Sequence, residues 1–201
     1  MAITSDPWTS DPSPQGVRVK LVLVPRDALD ALARGDLLHA GSLLQLELTP
    51  YLTTTECRAV WIRRRRQIDR DAAEAPWVTR IVVDAGTGTV VGRAGFHGKP
   101  DATGMVEIGY AIDPAHRRRG YARAVLVTLI DTARHDPRVN TVRACIRPDN
   151  VPSRNLVDQY DFHVVGEQWD EEDGLEIVLE LNLRWALSTH QPSGRPHDPR
   201  E

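Results

Sequence analysis

The chain has 201 residues, 41% hydrophobic and 26% charged, with a net charge of −3. That length and balance suit one soluble domain with a full core and exclude a globally polycationic nucleic-acid binder. Two cysteines, Cys57 and Cys145, are far apart and form no CxxC pair, so neither a disulfide framework nor a cysteine zinc site is expected.

Residues 1–16 are rich in Pro, Ser and Asp and read as a flexible leader; they lack the basic start and apolar run of a signal peptide. No apolar stretch is long enough to span a bilayer. With the cysteine usage, this points to a cytoplasmic protein. Residues 188–201 read as a flexible tail, which leaves residues 17–187 as the folded domain.

Residues 17–24 alternate and are β-branched, which predicts a strand. Pro25 can open the helix that follows, and Gly35 closes it. Thr53 and Glu56 have capping-box spacing, so a second helix is expected to about residue 71. Residues 77–83 and 89–96 are expected to pair as a hairpin across the turn at 84–88. A strand is expected at 105–112 and a helix over 119–134, where Ala122, Val125, Leu126, Leu129, Ile130 and Ala133 keep helical spacing. Residues 139–146 predict a strand and 152–160 a short helix. Two further strands, 162–167 and 175–183, are joined by an acidic turn. Strand, two helices, three strands, helix, strand, helix and two strands make a mixed α/β fold whose first half is largely antiparallel.

The chemistry gathers where Glu107-Ile108-Gly109-Tyr110-Ala111-Ile112-Asp113-Pro114 runs into Ala115-His116-Arg117-Arg118-Arg119-Gly120-Tyr121-Ala122. A strand ends at a proline turn, and a basic loop containing glycine opens a long helix. Unpaired N–H groups and dipole charge at a helix start suit a phosphate. Gly120 lets backbone approach a ligand, and arginines add charge-assisted bonds.

Arg117 to Ala122 has the pattern Arg-x-x-Gly-x-Ala and resembles the acetyl-CoA signature of the GNAT superfamily of N-acetyltransferases. Asn150-Val151-Pro152-Ser153 resembles the family's Asn-x-x-Ser helix start. The Glu-Ile-Gly-Tyr entry at Glu107 is similar to the branch of ribosomal-protein N-terminal acetyltransferases. The resemblance covers roughly residues 17–183. It implies a mostly antiparallel central sheet flanked by helices, with a splayed parallel pair, 107–112 and 139–146, at the cofactor site.

It also implies acetyl-CoA as co-substrate and direct transfer of the acetyl group to a primary amine. By the resemblance, backbone near Ala111 and Ile112 meets the pantetheine arm and polarises the thioester carbonyl. The segment Arg117, Arg118, Arg119, Gly120, Tyr121 and Ala122 holds the pyrophosphate. Asn150 fixes the pantetheine or the start of the last helix. Glu107 stands where related enzymes carry a general base; its other reading is a paired strand carboxylate. Many relatives protonate the leaving thiolate with a tyrosine that falls at Val157 here, which cannot donate. Ser153 takes that role in the resembling branch, and its other reading is a helix-start residue that satisfies backbone groups. Tyr160 is a further candidate, and Asp161 stands where the family has a glycine.

The acceptor is expected to be an amine-bearing small molecule or a protein N-terminus, on a monomer or homodimer, with no nucleic-acid or membrane partner and no metal. The alternative is a non-catalytic acyl-CoA-binding or regulatory module, which the missing tyrosine would suit. Arg63 to Arg66 point all round a helix and read as a solvated run; bordering the acceptor site, they could also meet an anionic substrate group. The acidic turn from Asp170 to Asp173 reads as an ordinary hairpin or as a guide for a cationic amine. His97, His116 and His163 have no metal spacing, and Trp61 and Trp77 read as core or as pocket wall.

Overall fold

The computed structural model describes residues 6–9, 11–12, 16–172 and 174–183. Among them, the alternating segments pair into one sheet: β1 (Trp8–Thr9), β2 (Val19–Val22), β3 (Arg80–Asp84), β4 (Val90–Phe96), β5 (Met105–Ile112), β6 (Thr141–Ile146), β7 (His163–Asp170) and β8 (Gly174–Asn182). The spatial order is β1-β2-β3-β4-β5-β6-β8-β7. Every neighbouring pair is antiparallel except β5 and β6, which run parallel.

The helices are α1 (Arg26–Arg34), α2 (Leu37–Leu44), α3 (Thr55–Arg70), α4 (Tyr121–His135) and α5 (Val151–Val157). They divide between the two faces of the sheet. Ile81, Val83 and Val90 bury against Leu29 and Leu32 of α1 and Trp61 of α3. Val82, Ala94, Phe96, Ile108 and Ile112 share the other core with Val125, Leu126 and Leu129 of α4. The strand period of two sends successive residues to opposite layers, and the helical spacing along α4 supplies a matching stripe.

Two elements were not foreseen. α2 carries no clean apolar period: Ala40 is its buried residue, while Leu38 is 89% exposed. It is held from its start, where Asp36 accepts from the His39 N–H at 3.1 Å. β1 falls within the segment read as a leader. Trp8 is anchored there by stacking under the Arg80 guanidinium at 3.8 Å and tilting against Phe96 at 5.3 Å. Arg80 donates to the carbonyls of Asp6 and Leu21, which ties the leader to β2. The other residues of the leader and the expected tail at 188–201 fall largely or wholly outside the described residues.

The cap of α3 sits one residue later than the spacing suggested. Thr54 accepts from the Cys57 N–H, whereas the Thr53 hydroxyl donates to the Pro50 carbonyl at 3.0 Å. Gly35 ends α1 at φ 83°, in the left-handed region that only glycine enters freely.

Candidate functional site

The parallel pair opens beyond its first turn of register. β5 and β6 pair only at Met105↔Thr141, Val106↔Val142 and Glu107↔Arg143. On its other side β5 stays joined to β4 through Gly95↔Gly109 and Arg93↔Ala111. The His97 N–H donates to the Glu107 carbonyl, and the Asp113 N–H to that of Val91. Peptide groups alternate sides along a strand. The odd-numbered residues of β5, Ala111 among them, therefore turn their N–H and C=O toward β4. Ile108, Tyr110 and Ile112 turn theirs into the gap that β6 has left. Arg117 folds back so that its Nε donates to the Ile112 carbonyl at 3.1 Å.

Below the gap the chain reaches α4 through a tight basic loop. Arg118 has φ 62° and Gly120, the N-cap residue, φ 87°. A left-handed arginine costs about 1–3 kcal/mol and persists where its surroundings hold it. No side chain caps α4, so its first N–H groups stay open. Arg118 and Arg119 are exposed and make no ion pair among the described residues. The Tyr121 side chain turns away from the loop: its hydroxyl donates to Asp84 at 2.7 Å, clamping the start of α4 to the β3–β4 turn. Burial and the Asp84 carboxylate push that phenol up to about 12. An uncapped helix start, two free guanidiniums and an open strand edge together fit a phosphorylated, amide-bearing cofactor.

A cleft of about 370 Å³ adjoins this gap, and Asn150, Ser153, Val157, Arg63, Arg93 and Asp170 are among its lining residues. Glu107 lies within it. His97 Nδ1 stands 2.8 Å from Glu107 Oε1. Burial pushes the Glu107 carboxyl upward, but the His97 hydrogen bond and charge, a Cys145 contact and Arg143 outweigh it and hold it below the usual carboxylate range. Burial and the charges of Glu107 and Glu176 push the Cys145 thiol up to about 12, so it stays protonated. The His97 ring packs over Gly109, where a Cβ would meet Nε2 at 2.6 Å. Glycine at 109 makes the histidine position possible.

On the same cleft, Asn150 caps α5 by accepting from the Ser153 N–H at 3.3 Å. Val157 is fully buried, and no hydroxyl stands in its place. The Tyr110 hydroxyl is buried and makes no hydrogen bond of normal geometry among the described residues. Burial raises its pKa, and Ser153 lies close enough to oppose that shift. Tyr160 is engaged elsewhere, accepting from Arg123 at 3.2 Å. Asp161 takes the left-handed conformation of the glycine it replaces, at φ 57°.

The structure thus brings Glu107, Asn150 and Ser153 to one cleft, while Arg117 to Ala122 lead from the end of β5 into α4. Sequence weighed His97 only as a metal ligand and Tyr110 only within a motif, and gave neither a role beside Glu107 or Ser153. His97 follows a strand of no special pattern, and Tyr110 read as part of a strand motif. The arginine run separates as its helical spacing required. Arg64 is buried, Arg63 pairs with Glu172 of the β7–β8 turn, and Arg65 lies 3.7 Å from both Asp30 and Asp69. Trp61 and Trp77 are core. No helix among the described residues is long and apolar enough to cross a membrane.

Comparison with known proteins agrees with this geometry. Residues 20–163, well over half of the chain, match the model of the acetyltransferase (GNAT) domain. The chain is 35% identical over 82 residues to the protein named uncharacterized N-acetyltransferase YjdG of Bacillus subtilis (strain 168), a match covering 41% of this chain and 49% of that one. The matched stretch therefore spans about half the length of that relative. Among solved structures, Mycobacterium smegmatis RimJ in complex with CoA-disulfide superposes with a TM-score of 0.58 at 18% identity, over 92% of each chain. The spermidine/spermine N-acetyltransferase SpeG from Vibrio cholerae, solved in complex with manganese ions, gives 0.59 at 14% identity, over 86% of this chain and 97% of that one. At such identities these two likenesses establish the fold. With the splayed parallel pair, the uncapped α4 loop and the family match in hand, the chain belongs to the GNAT acetyltransferase family.

Proposed function

We propose that this protein is an acetyl-CoA-dependent N-acetyltransferase that moves the acetyl group to a primary amine by direct attack in a ternary complex. The observation that carries this reading is the gap beside β5. It lies between the uncapped start of α4 and the carboxylate of Glu107, where the backbone N–H groups of Tyr110 and Ile112 turn away from β4 and β6 has ceased to pair.

Acetyl-CoA, when bound, supplies the activated thioester. The backbone N–H groups from Arg117 to Ala122, with the Arg118 and Arg119 side chains, hold the pyrophosphate. The N–H groups of Tyr110 and Ile112 receive the pantetheine amides and polarise the thioester carbonyl. Ala111, between them, keeps β5 tied to β4 and so holds that edge in place. Asn150 fixes the first turn of α5 and with it Ser153.

A lysine-like amine has a pKa of about 10.4 and must lose a proton before or during attack. Glu107 accepts that proton, directly or through one water, and His97 holds its carboxylate in place. Ser153 returns a proton to the leaving thiolate, with the Tyr110 hydroxyl behind it, which burial keeps protonated. With valine at 157, Ser153 and Tyr110 supply the hydroxyls beside it in the cleft lining.

Release of free thiol from acetyl-CoA, measured across a panel of primary amines, tests the reading. Amine-dependent release is expected. CoA binding with no transfer to any amine would instead make the chain a non-catalytic acyl-CoA-binding module.

Gly109→Ala offers a sharper probe of the site. The new Cβ meets the far end of a side chain, so the ring swings away and the fold is kept. Glu107 then loses its partner, and kcat is expected to fall by about tenfold to a hundredfold, the size of effect that small misplacements of catalytic groups produce. Steady-state rates beside a melting curve check it. An unchanged kcat at unchanged stability would show that His97 does not support Glu107.

A further inference from the structure

The cleft holds a cation, Arg93, that makes no ion pair among the described residues. Arg93 stands on β4 opposite Ala111 and Ile81, on the sheet face that also carries Glu107. It lines the same cleft as Glu107. Its one polar contact among the described residues is neutral, Nε to Cys57 Sγ at 3.4 Å, and it makes no ion pair there. Arg63, the other arginine on the cleft wall, is already taken up by Glu172.

A second guanidinium lies close behind. Arg64 is 5% exposed and donates to neutral acceptors: Thr79 Oγ1 at 3.1 Å, Gln67 Oε1 at 2.9 Å and the His97 carbonyl at 2.9 Å. Burial first, then the charges of Arg63 and Arg93, pull its pKa down to about 10. Arg93 and Arg64 thus add positive charge to a cleft that Glu107, Glu176 and Asp170 also line, and Glu107 and Glu74 oppose the shift at Arg64. A partly buried cation without a counter-ion is unfavourable unless something supplies the opposite charge. At a cleft wall, a ligand can do so.

We infer that the acceptor is a small amine that also carries a carboxylate, received by Arg93 while the amine is turned toward Glu107. The inference rests on the transferase reading given above and narrows its acceptor. Ala111, opposite Arg93, and Glu107 are four residues apart on β5, about 13 Å at strand rise. Arginine and glutamate side chains lining the space between them leave room for a molecule a few ångströms long. That length suits an α-amino acid or a short ω-amino acid. A protein N-terminus fits less well, because its α-carboxyl is consumed in the peptide bond. A guanidinium also matches a carboxylate two bonds at a time, which gives the site a means of selection.

The test compares matched pairs: glycine with glycinamide, β-alanine with β-alaninamide and 4-aminobutyrate with 4-aminobutanamide, each with acetyl-CoA in a thiol-release assay. Wild-type protein is expected to use at least one acid with kcat/KM about tenfold to a hundredfold above that of its amide, the range of one charge-assisted bond. In Arg93→Gln that preference should disappear, with acetyl-CoA affinity and melting temperature kept; Arg93→Lys should restore part of it. Amides used as well as or better than the acids overturn the inference, as does a preference that survives in Arg93→Gln. The wild-type comparison stands even if the variants fold poorly. Transfer to other amines of the wider panel but to none of these acids overturns the inference alone, whereas failure of the whole panel overturns the transferase reading and this inference with it.

Discussion

Replacing Glu107 with glutamine is expected to lower kcat by about a hundredfold to ten-thousandfold, the usual contribution of a positioned general base, while acetyl-CoA affinity stays unchanged. The amide keeps the shape of the side chain and removes the proton acceptor. The pH dependence sharpens the expectation. The Glu107 carboxyl is held below its ordinary range, so it is ionised throughout the neutral region and does not limit the rate there. The rise of kcat/KM with pH should instead follow deprotonation of the amine, and it should persist in the variant at a lower level. Stability follows the opposite limb. A carboxyl depressed in the folded state contributes stability above its unfolded pKa of about 4.3 and loses it as pH falls through the folded value. The variant should therefore be less stable than wild type at neutral pH, and the difference should close in acid. A variant with unchanged kcat would leave Glu107 as a strand carboxylate paired with His97 and nothing more.

Trp61→Ala is expected to destabilise the protein by about 3–5 kcal/mol, the range for emptying a large aromatic site in a core. Trp61 is fully buried between α1, α3 and the turn at residues 50–53, and its indole N–H donates to the Leu52 carbonyl at 2.8 Å. The truncation leaves a cavity and also deprives a buried carbonyl of its donor. In a chain of this size the loss corresponds to a fall in Tm of roughly 6–20 °C. Trp61→Phe should recover most of the packing and lose only the hydrogen bond. Urea melts with an unchanged slope would show that stability, and not the denatured state, has moved. A loss under about 1 kcal/mol would mean that the α1–α3 layer unfolds separately from the sheet.

Much of the framework was legible in the residues. The helical stripe of α4 and the strand at Met105–Ile112 came from local pattern, and each is where the spacing put it, while the Asn150 cap was implied by the family resemblance. The same patterns could not show α2, whose leucines lie outside any period, or β1, which depends on a tryptophan stacking on an arginine 72 positions along the chain. The cap of α3 slipped by one because Thr53 and Thr54 offer the same hydroxyl. Only the approach of the chain before them decides which one meets an open N–H.

For the site, the division is sharper. Sequence by itself determined the family motif, the glycine at the start of α4, the carboxylate at 107 and the absence of a hydroxyl at 157. Each is a property of one residue and its near neighbours. Tertiary structure decided which of these meet and what joins them. The end of pairing after Glu107↔Arg143 opens the gap, and strand alternation turns Tyr110 and Ile112 toward it in place of Ala111. Cross-strand register sets His97 beside Glu107 over a glycine, and the same register stands Arg93 on that face without an ion pair among the described residues. Periodicity records which face of an element is buried. It carries no information about the partner across the sheet, because that partner is chosen by register and layer packing, and the chemistry of this cleft lies in those cross-strand pairs.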